Sequence, residues 1–377
     1  AMDASMQDLD GSFSYLVATP DEFGFAKDPF AFKPLLFAQA ERFARGERPA
    51  SREAVKGVLL WAGAAALAIL AVYRFGQAGL FLQGLRETTA RLGEGRSSFL
   101  LGEHTVRGTF TYFPAALVAK TPTALLLLAA RGAWLAWRRE DRAERLWLLA
   151  PPAAFFALAL TAKVQIGVRH LLPVMPFLAL WAGLAAADMV RRGVAARLAL
   201  AGLALWAGGS VLRARPHLLS YFSEIAGGPA GGREWLADSN IDWGQDLKGL
   251  SRELAARGNP PVYLAYFGVA DPSYYGIRYV QALANWNVPR AGDPVDPAAG
   301  GGPVLFAVSA TNLKGVYLQD HGVLSWLESG VPVAVPGQSI LLYDLTADAD
   351  GRARLARLLE LTRHPAAAGL SRSLLLQ

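Results

Sequence analysis

Apolar residues follow two regimes along this chain. Up to about residue 212 they form long unbroken runs; beyond it the runs are short and bounded by turn residues. Five runs approach or reach the roughly 17–25 residues that a helix needs to cross a bilayer. They are 57–73, 113–137, 146–162, 171–189 and 194–212. Five such runs in succession are hard to bury in a soluble core, so the pattern predicts about five transmembrane helices. Lys120 and Arg131 interrupt the second run and Arg197 the fifth.

From 213 to 345 helical and strand patterns alternate, which predicts a small α/β domain. A helix is expected over 243–257, ended by Gly258. Strands are expected at 261–267, 304–308 and 340–345. A second helix is expected over 313–328, with Thr311 as its cap and Gly330 beyond its end. The segment 293–302 reads as a Pro/Gly/Ala loop. In the tail, 346–377, leucines at 355, 358, 359 and 361 among arginines predict an amphipathic helix at 351–363. No internal repeat is evident.

Arginine placement orients the helices, because short cytoplasmic loops carry the excess of Lys and Arg. Arg42, Arg45, Arg48, Arg52 and Lys56 precede the first run, four arginines lie in 138–145, and Arg191 and Arg192 follow the fourth run. Alternating spans put all three groups on one side, taken as cytoplasmic. The loop 74–112, the loop 163–170 and everything after 212 then face outward. The outer loop 74–112 carries five arginines, spread over 39 residues beside three glutamates. The net charge of +6 thus orients helices, and no basic–aromatic stripe indicates nucleic acid. A charged fraction of 18% and a hydrophobic fraction of 53% fit a chain part membrane and part water-facing. The absence of cysteine excludes disulfides, thiolate catalysis and thiolate metal sites. The sequence starts at Ala1, and 1–56 shows no signal-peptide core. The expectation is a cytoplasmic segment from the interior of a longer protein.

Charges at membrane depth are costly and mark functional sites. Lys120 lies about two turns from the outer end of its run, beside Pro122; Lys163 closes the third run, and Arg169 and His170 open the fourth, on the same side. A phosphate at the outer interface would use such a set. The ordinary alternative is snorkelling to lipid headgroups. A second candidate is the string 238–246, with Asp238, Asn240, Asp242, Trp243 and Gln245. Its spacing fails as a calcium loop, since Trp243 stands where a glycine belongs and Gly249 where a glutamate belongs. A helix start explains part of it; a surface for a sugar or acceptor, with a ring to stack on, explains Trp243 and Gln245. Glu103 and His104 in the outer loop have acid–base chemistry, but adjacent residues rarely aim at one substrate. The acidic pair Asp21-Glu22 reads as a solvated loop, and 227–232 as a turn without the Lys-Ser/Thr of a phosphate loop.

Four strings in order carry a resemblance. They are Tyr112-Phe113-Pro114 with Lys120-Thr121-Pro122; Gly167-Val168-Arg169-His170-Leu171-Leu172-Pro173; Tyr221-Phe222-Ser223-Glu224 with Gly227-Gly228; and Asp238-Ser239-Asn240-Ile241-Asp242-Trp243-Gly244-Gln245-Asp246-Leu247. From about residue 57 to 345 the chain resembles the C-terminal part of bacterial membrane glycosyltransferases of the protein-O-mannosyltransferase type (glycosyltransferase family 39, GT-C superfamily). The resemblance implies a multi-pass enzyme of the bacterial cytoplasmic membrane with an extracytoplasmic C-terminal α/β domain. It implies inverting transfer of a sugar from a polyprenyl-phosphate carrier to an acceptor protein or glycolipid, with no nucleotide sugar at the active site. Lys120, Arg169, His170 and Lys163 would then meet the donor phosphate. In that family the catalytic acid follows the first N-terminal span, and no matching loop is found here, so no residue is assigned to it. No cofactor is assigned; a divalent metal is possible and would take carboxylate or His ligands. A membrane-anchored glycan- or partner-binding protein is the rival reading. A transporter fits less well, since neither repeats nor clearly interrupted helices stand out.

Overall fold

The computed structural model describes residues 14–18, 23–27, 51–283, 296–298, 301–362 and 364–376. Arg42, Arg45 and Arg48, the pair Asp21-Glu22 and half of the loop 293–302 lie outside the described residues. The chain divides into two compact units, Ala1–Leu85 and Arg86–Gln377. The first holds an antiparallel pair, β1 (Ser14–Ala18) and β2 (Phe23–Lys27), and helix α1 (Ser51–Val72). The expected first span falls within α1, whose apolar part is Ala62–Val72. Helix α2 (Ala78–Glu94) lies where the sequence suggested only a loop. Its glycines at 79, 84 and 93 and its charged face hid a helical pattern in which Leu80, Leu82, Leu85 and Leu92 are exposed.

In the second unit a short hairpin, β3 (Ser98–Leu100) and β4 (Glu103–Thr105), leads to α3 (Tyr112–Lys120) and α4 (Thr123–Trp137). These two were expected as one span. Instead they meet at 116°. The cause is Pro122: it drives Thr121 into an extended conformation, φ −112° and ψ 134°, which ends α3 at Lys120. Then come α5 (Arg142–Leu160), a 3-10 turn (Val168–Val174) running into α6 (Met175–Arg191), and α7 (Val194–Arg213). Three helical segments, Arg142–Leu160, Val168–Arg191 and Val194–Arg213, are long and apolar enough to cross a membrane; the bent pair makes a fourth. Only 6% of the first and last of these is buried within the protein. Trp147, Leu158, Leu180, Leu198 and Leu205 point outward, a surface suited to lipid. Asp188 of α6 pairs with Arg131 of α4 and, at 2.8 Å, with Arg192, as charges do where water is scarce.

The remainder is an α/β layer. Its sheet has the order β6 (Tyr279–Gln281), β5 (Val262–Ala265), β7 (Leu305–Ser309), β8 (Ile340–Asp344); β5 runs parallel to both neighbours and β7 antiparallel to β8. Alternate side chains serve opposite faces. Val262, Leu264, Leu305, Ala307, Ile340 and Leu342 pack on Leu247, Leu250 and Leu254 of helix α9 (Leu247–Ala256), which follows the short helix α8 (Gly228–Trp235). Tyr263, Ala265, Phe306, Val308, Leu341 and Tyr343 face the main core. Both faces are covered, so these strands read as continuous apolar runs.

Three expectations are corrected. The helix expected at 243–257 begins only at Leu247, because Gly244 has φ +77°. The helix expected at 313–328 is the single turn α10 (Ala310–Leu313), which includes Thr311, followed by turns and a 3-10 turn at Ser325–Leu327. Gly315, at φ +62°, breaks it. The tail is not separate: α11 (Ala349–Leu361) and α12 (Ala367–Leu376) insert Leu355, Leu358, Leu359, Leu370 and Leu374 into the main core. Buried Arg352 ties them by bonding the carbonyl of Leu374 at 3.1 Å. The same core takes Tyr112, Phe113, Ala116 and Ala119 of α3 and Leu171, so it crosses the expected boundary at 212.

Helices α4 and α6 approach closely at Gly132, where a Cβ would overlap the carbonyl of Trp181. Replacing Gly132 with Ala should destabilise the detergent-solubilised protein by about 1–3 kcal/mol, read as a lower thermal midpoint. Gly183→Ala, with open space around it, should not lower it. Equal midpoints for the two variants would refute this contact.

Candidate functional site

The site is built at the bend. Ending α3 at Pro122 leaves carbonyls of its last turn without helical donors. Ser223 supplies two, its N–H to Ala119 at 2.7 Å and its hydroxyl to Val118 at 2.9 Å. The Lys120 ammonium, at the same turn, donates to the carbonyls of Leu219 at 2.8 Å, of Tyr221 and of Asn240. It also lies 4.2 Å from the Phe222 ring centroid, a cation–π contact. Its three N–H donors are thereby all engaged.

The turn 238–246 lies against this end of α3. Asn240 is fully buried; its amide donates to the Tyr112 hydroxyl and the Ala237 carbonyl, each at 3.0 Å, and its oxygen accepts from Val168 N–H at 2.9 Å. The Ser239 hydroxyl donates to the Ile166 carbonyl. The four strings that were separate in sequence therefore meet through hydrogen bonds at one place.

Within the turn, buried and exposed residues divide sharply. Asp238, Asn240 and Asp242 are 3%, 0% and 0% exposed. Of the two roles expected for them, lining a sugar or acceptor surface or bracing it, their bonds within the turn fit the second. Asp238, held at φ +57°, accepts from Ser239 N–H at 2.6 Å and from the Tyr317 hydroxyl. Asp242 accepts from the N–H groups of Gly244 at 3.2 Å and Thr311 at 3.3 Å. Trp243 is 52% exposed, and Gln245 is exposed beside it. Arg169 is exposed as well and sets its guanidinium 5.2 Å from the Trp243 ring centroid. This pair is the accessible part of the site: a cation with free directions for an anion, and a ring face.

The other expected residues are placed as follows. His170 packs near Phe113, and its Nε2 is buried with no hydrogen-bond partner among the described residues. Lys163 bonds the Gly93 carbonyl at 2.8 Å. His104 lies 2.6 Å through Nε2 from the Lys314 carbonyl and stacks on His321 with centroids 3.9 Å apart. Burial pushes its pKa below the ordinary histidine value, partly countered by that carbonyl. Glu103 is exposed on β4; strand alternation turns it to the face opposite His104.

Burial pushes the carboxyls of Asp238, Asp242 and Asp246 upward, and Asp242 reaches about 7. Asp246 is a member that the sequence reading left without a role. It accepts from the Ser339 hydroxyl at 2.7 Å and the Gln245 amide at 3.0 Å, and faces His217. Thr311, Tyr317 and Ser339 were also missed: each reaches the turn from more than 70 residues away, and no local pattern marks such a contact. Among the described residues no three His, Asp or Glu side chains gather as metal ligands.

Compared with protein-family models, with curated proteins and with solved structures, the chain matches none.

Lys120→Met would leave three carbonyls without their donor. Each unmet group costs about 1–3 kcal/mol while it stays dry, so this variant should unfold at a lower temperature and be cut faster by protease. Lys120→Arg should not restore it, because a planar guanidinium cannot reproduce three diverging bonds. A Met variant with unchanged protease resistance would refute the clamp. A second expectation concerns pH. An Asp242 carboxyl raised to about 7 favours the folded state when protonated. That stabilisation is complete below about pH 4 and is lost as pH rises to about 7. Thermal midpoints should therefore fall across this window, and less steeply in Asp242→Asn; identical slopes would count against it.

Proposed function

We propose that this chain is the C-terminal part of a membrane glycosyltransferase that takes a sugar from a polyprenyl-phosphate carrier and passes it to an acceptor protein or glycolipid. The observation that carries the reading is the exposed Arg169–Trp243 pair at the head of the apolar segment Val168–Arg191. A guanidinium binds phosphate bidentately, and an exposed ring face suits a sugar. A carrier lipid anchored beside the helix would bring both groups to that height. The convergence of the four family-like strings on one turn also supports it.

In this reading Arg169 holds the donor phosphate and neutralises it as it leaves. His170 stands next to it in the chain, with its Nε2 buried, and would meet the phosphate only through its exposed part. Lys120, whose donors already face carbonyls, organises the site. Lys163 lies to one side, on the Gly93 carbonyl. Trp243 and Gln245 line the sugar or acceptor, backed by Asp238, Asn240 and Asp242. The spans are five, with 57–73 as the first and the bent pair as the second. They sit in a bacterial cytoplasmic membrane with the α/β layer outside.

One observation favours a rival. The carboxylates of the turn are all buried or bonded, which suits a membrane-anchored protein that binds a glycan or partner without chemistry. Arg169→Ala separates the two. In the full-length enzyme it should cut transfer by about 10²–10³-fold with membrane insertion intact. Normal transfer in that variant would sink the phosphate role, and a wild type that captures glycan but never consumes a polyprenyl-phosphate sugar would favour the rival.

A further inference from the structure

His104 and His321 meet ring to ring. Their centroids are 3.9 Å apart and their planes lie within 3° of parallel. His104 belongs to β4, and its Nε2 lies 2.6 Å from the Lys314 carbonyl. His321 ends the turn that follows α10, with its Nδ1 2.7 Å from the Gly315 carbonyl. A carbonyl only accepts, so each of these nitrogens carries the proton. The neutral tautomers are thereby fixed, and any further proton on either ring adds a full charge. Both rings border a cavity of about 420 Å³, lined also by Thr105, Val106 and Gln319. His321 is exposed and His104 half-buried, so solvent protons reach the pair.

The stack sits on a joint. Ser97 bonds the Val316 carbonyl, Arg96 bonds the Tyr317 hydroxyl at 3.0 Å, and Phe99 packs with Val316. The β3–β4 hairpin and the 314–321 turn are thus held face to face. Tyr317 carries the joint inward. Its hydroxyl donates to Asp238, and its ring stacks on Phe267 with centroids 5.8 Å apart. Phe267 in turn lies 6.1 Å from the ring of Trp243, which meets Arg169. Contacts therefore run from this joint to the exposed pair.

The charges around the rings admit one proton and resist a second. Burial is the largest influence and pushes the His104 pKa below its ordinary value. Glu328 favours a charged His104, while His321 and Lys314 oppose it. Lys314 is itself paired with Glu234 of α8 at 2.6 Å and with Glu328 at 2.9 Å. Asp320, beside His321, accepts from the Gly322 N–H at 2.9 Å, and Glu103 occupies the opposite strand face. Two imidazoliums at stacking distance repel each other.

We propose that the His104–His321 stack is an acid-released latch: it holds the hairpin on the 314–321 turn while at most one ring is charged, and opens when both are protonated. A histidine pushed below its ordinary value of 6.5 stabilises the closed form fully above that pH. The contribution is lost as pH falls through the folded value. The raised carboxyls of Asp238 and Asp242 act the other way, because a proton there favours the folded form. Release of this joint by acid is therefore specific to the histidines. The latch stands apart from the function proposed above: it loosens the tether of the 238–246 turn, whatever the Arg169–Trp243 pair binds.

The test is amide hydrogen exchange of the full chain in detergent, read by mass spectrometry and corrected for the intrinsic rate at each pH. Between about pH 7.5 and about pH 5, above the ordinary carboxylate range, protection of 98–105 and 314–322 should fall together by about 10–30-fold. Helix α9 should keep its protection. His321→Phe keeps a ring for the stack and cannot be charged; His104→Gln keeps an N–H for the Lys314 carbonyl and cannot be charged. Each variant, with its fold checked by thermal midpoint at neutral pH, should lose most of the pH response. Flat protection in the wild type across this range overturns the latch. So does a release that extends to α9, or one that either variant retains in full.

Discussion

One ammonium holds this site together. Lys120 stands where α3 stops, and its three donors reach carbonyls of Leu219, Tyr221 and Asn240. A charge out of bulk water needs partners or it deprotonates. Backbone carbonyls serve as those partners, and they lie on two segments that otherwise follow separate paths. The cation therefore does more than avoid a penalty: it fixes the 217–224 stretch and the 238–246 turn against the same helix end. Ser223 and Asn240 complete that arrangement, one capping α3 and the other bonding Tyr112 and Val168.

The bend follows from the same place. Proline at 122 makes a straight helix through 113–137 unfavourable, and the break turns α3 by 116° into the α/β core. Its small residues Ala116 and Ala119, fully buried, allow that core to close around it. As a result the apolar helices and the α/β layer share one packed interior, with no linker between them in the second unit.

Around the junction the polar residues take two kinds of work. Those that are buried (Asp238, Asn240, Asp242 and Asp246) bond backbone and hydroxyl groups, and their environment pushes the three carboxyls upward. Those that are exposed (Arg169, Trp243, Gln245 and, in part, His217) are few and lie about the same turn. The first set makes the second set's geometry reproducible, since each exposed side chain stands on backbone that a buried one has tied down.

The sequence by itself determined the element types wherever hydrophobic period and length spoke clearly. Four of the five apolar runs fall on helical segments long enough to cross a membrane, the second only as a bent pair, and the three strands appear within a residue or two of their expected bounds. It also singled out the strings that converge, because charges beside apolar runs and a ring among carboxylates are unusual in any chain. It left undetermined which polar residues would be covered. Asp238 and Asp242 look as accessible as Trp243 when read in line, yet Thr311 and Tyr317, some 70 residues on, bury them. Nor did local pattern join His217 to Asp246, 29 positions apart, or place the tail in the core. Period and propensity act over a few residues; burial and pairing are set by what packs from afar. That is why the elements were legible in the chain and the division of labour at the site was decided only by tertiary structure.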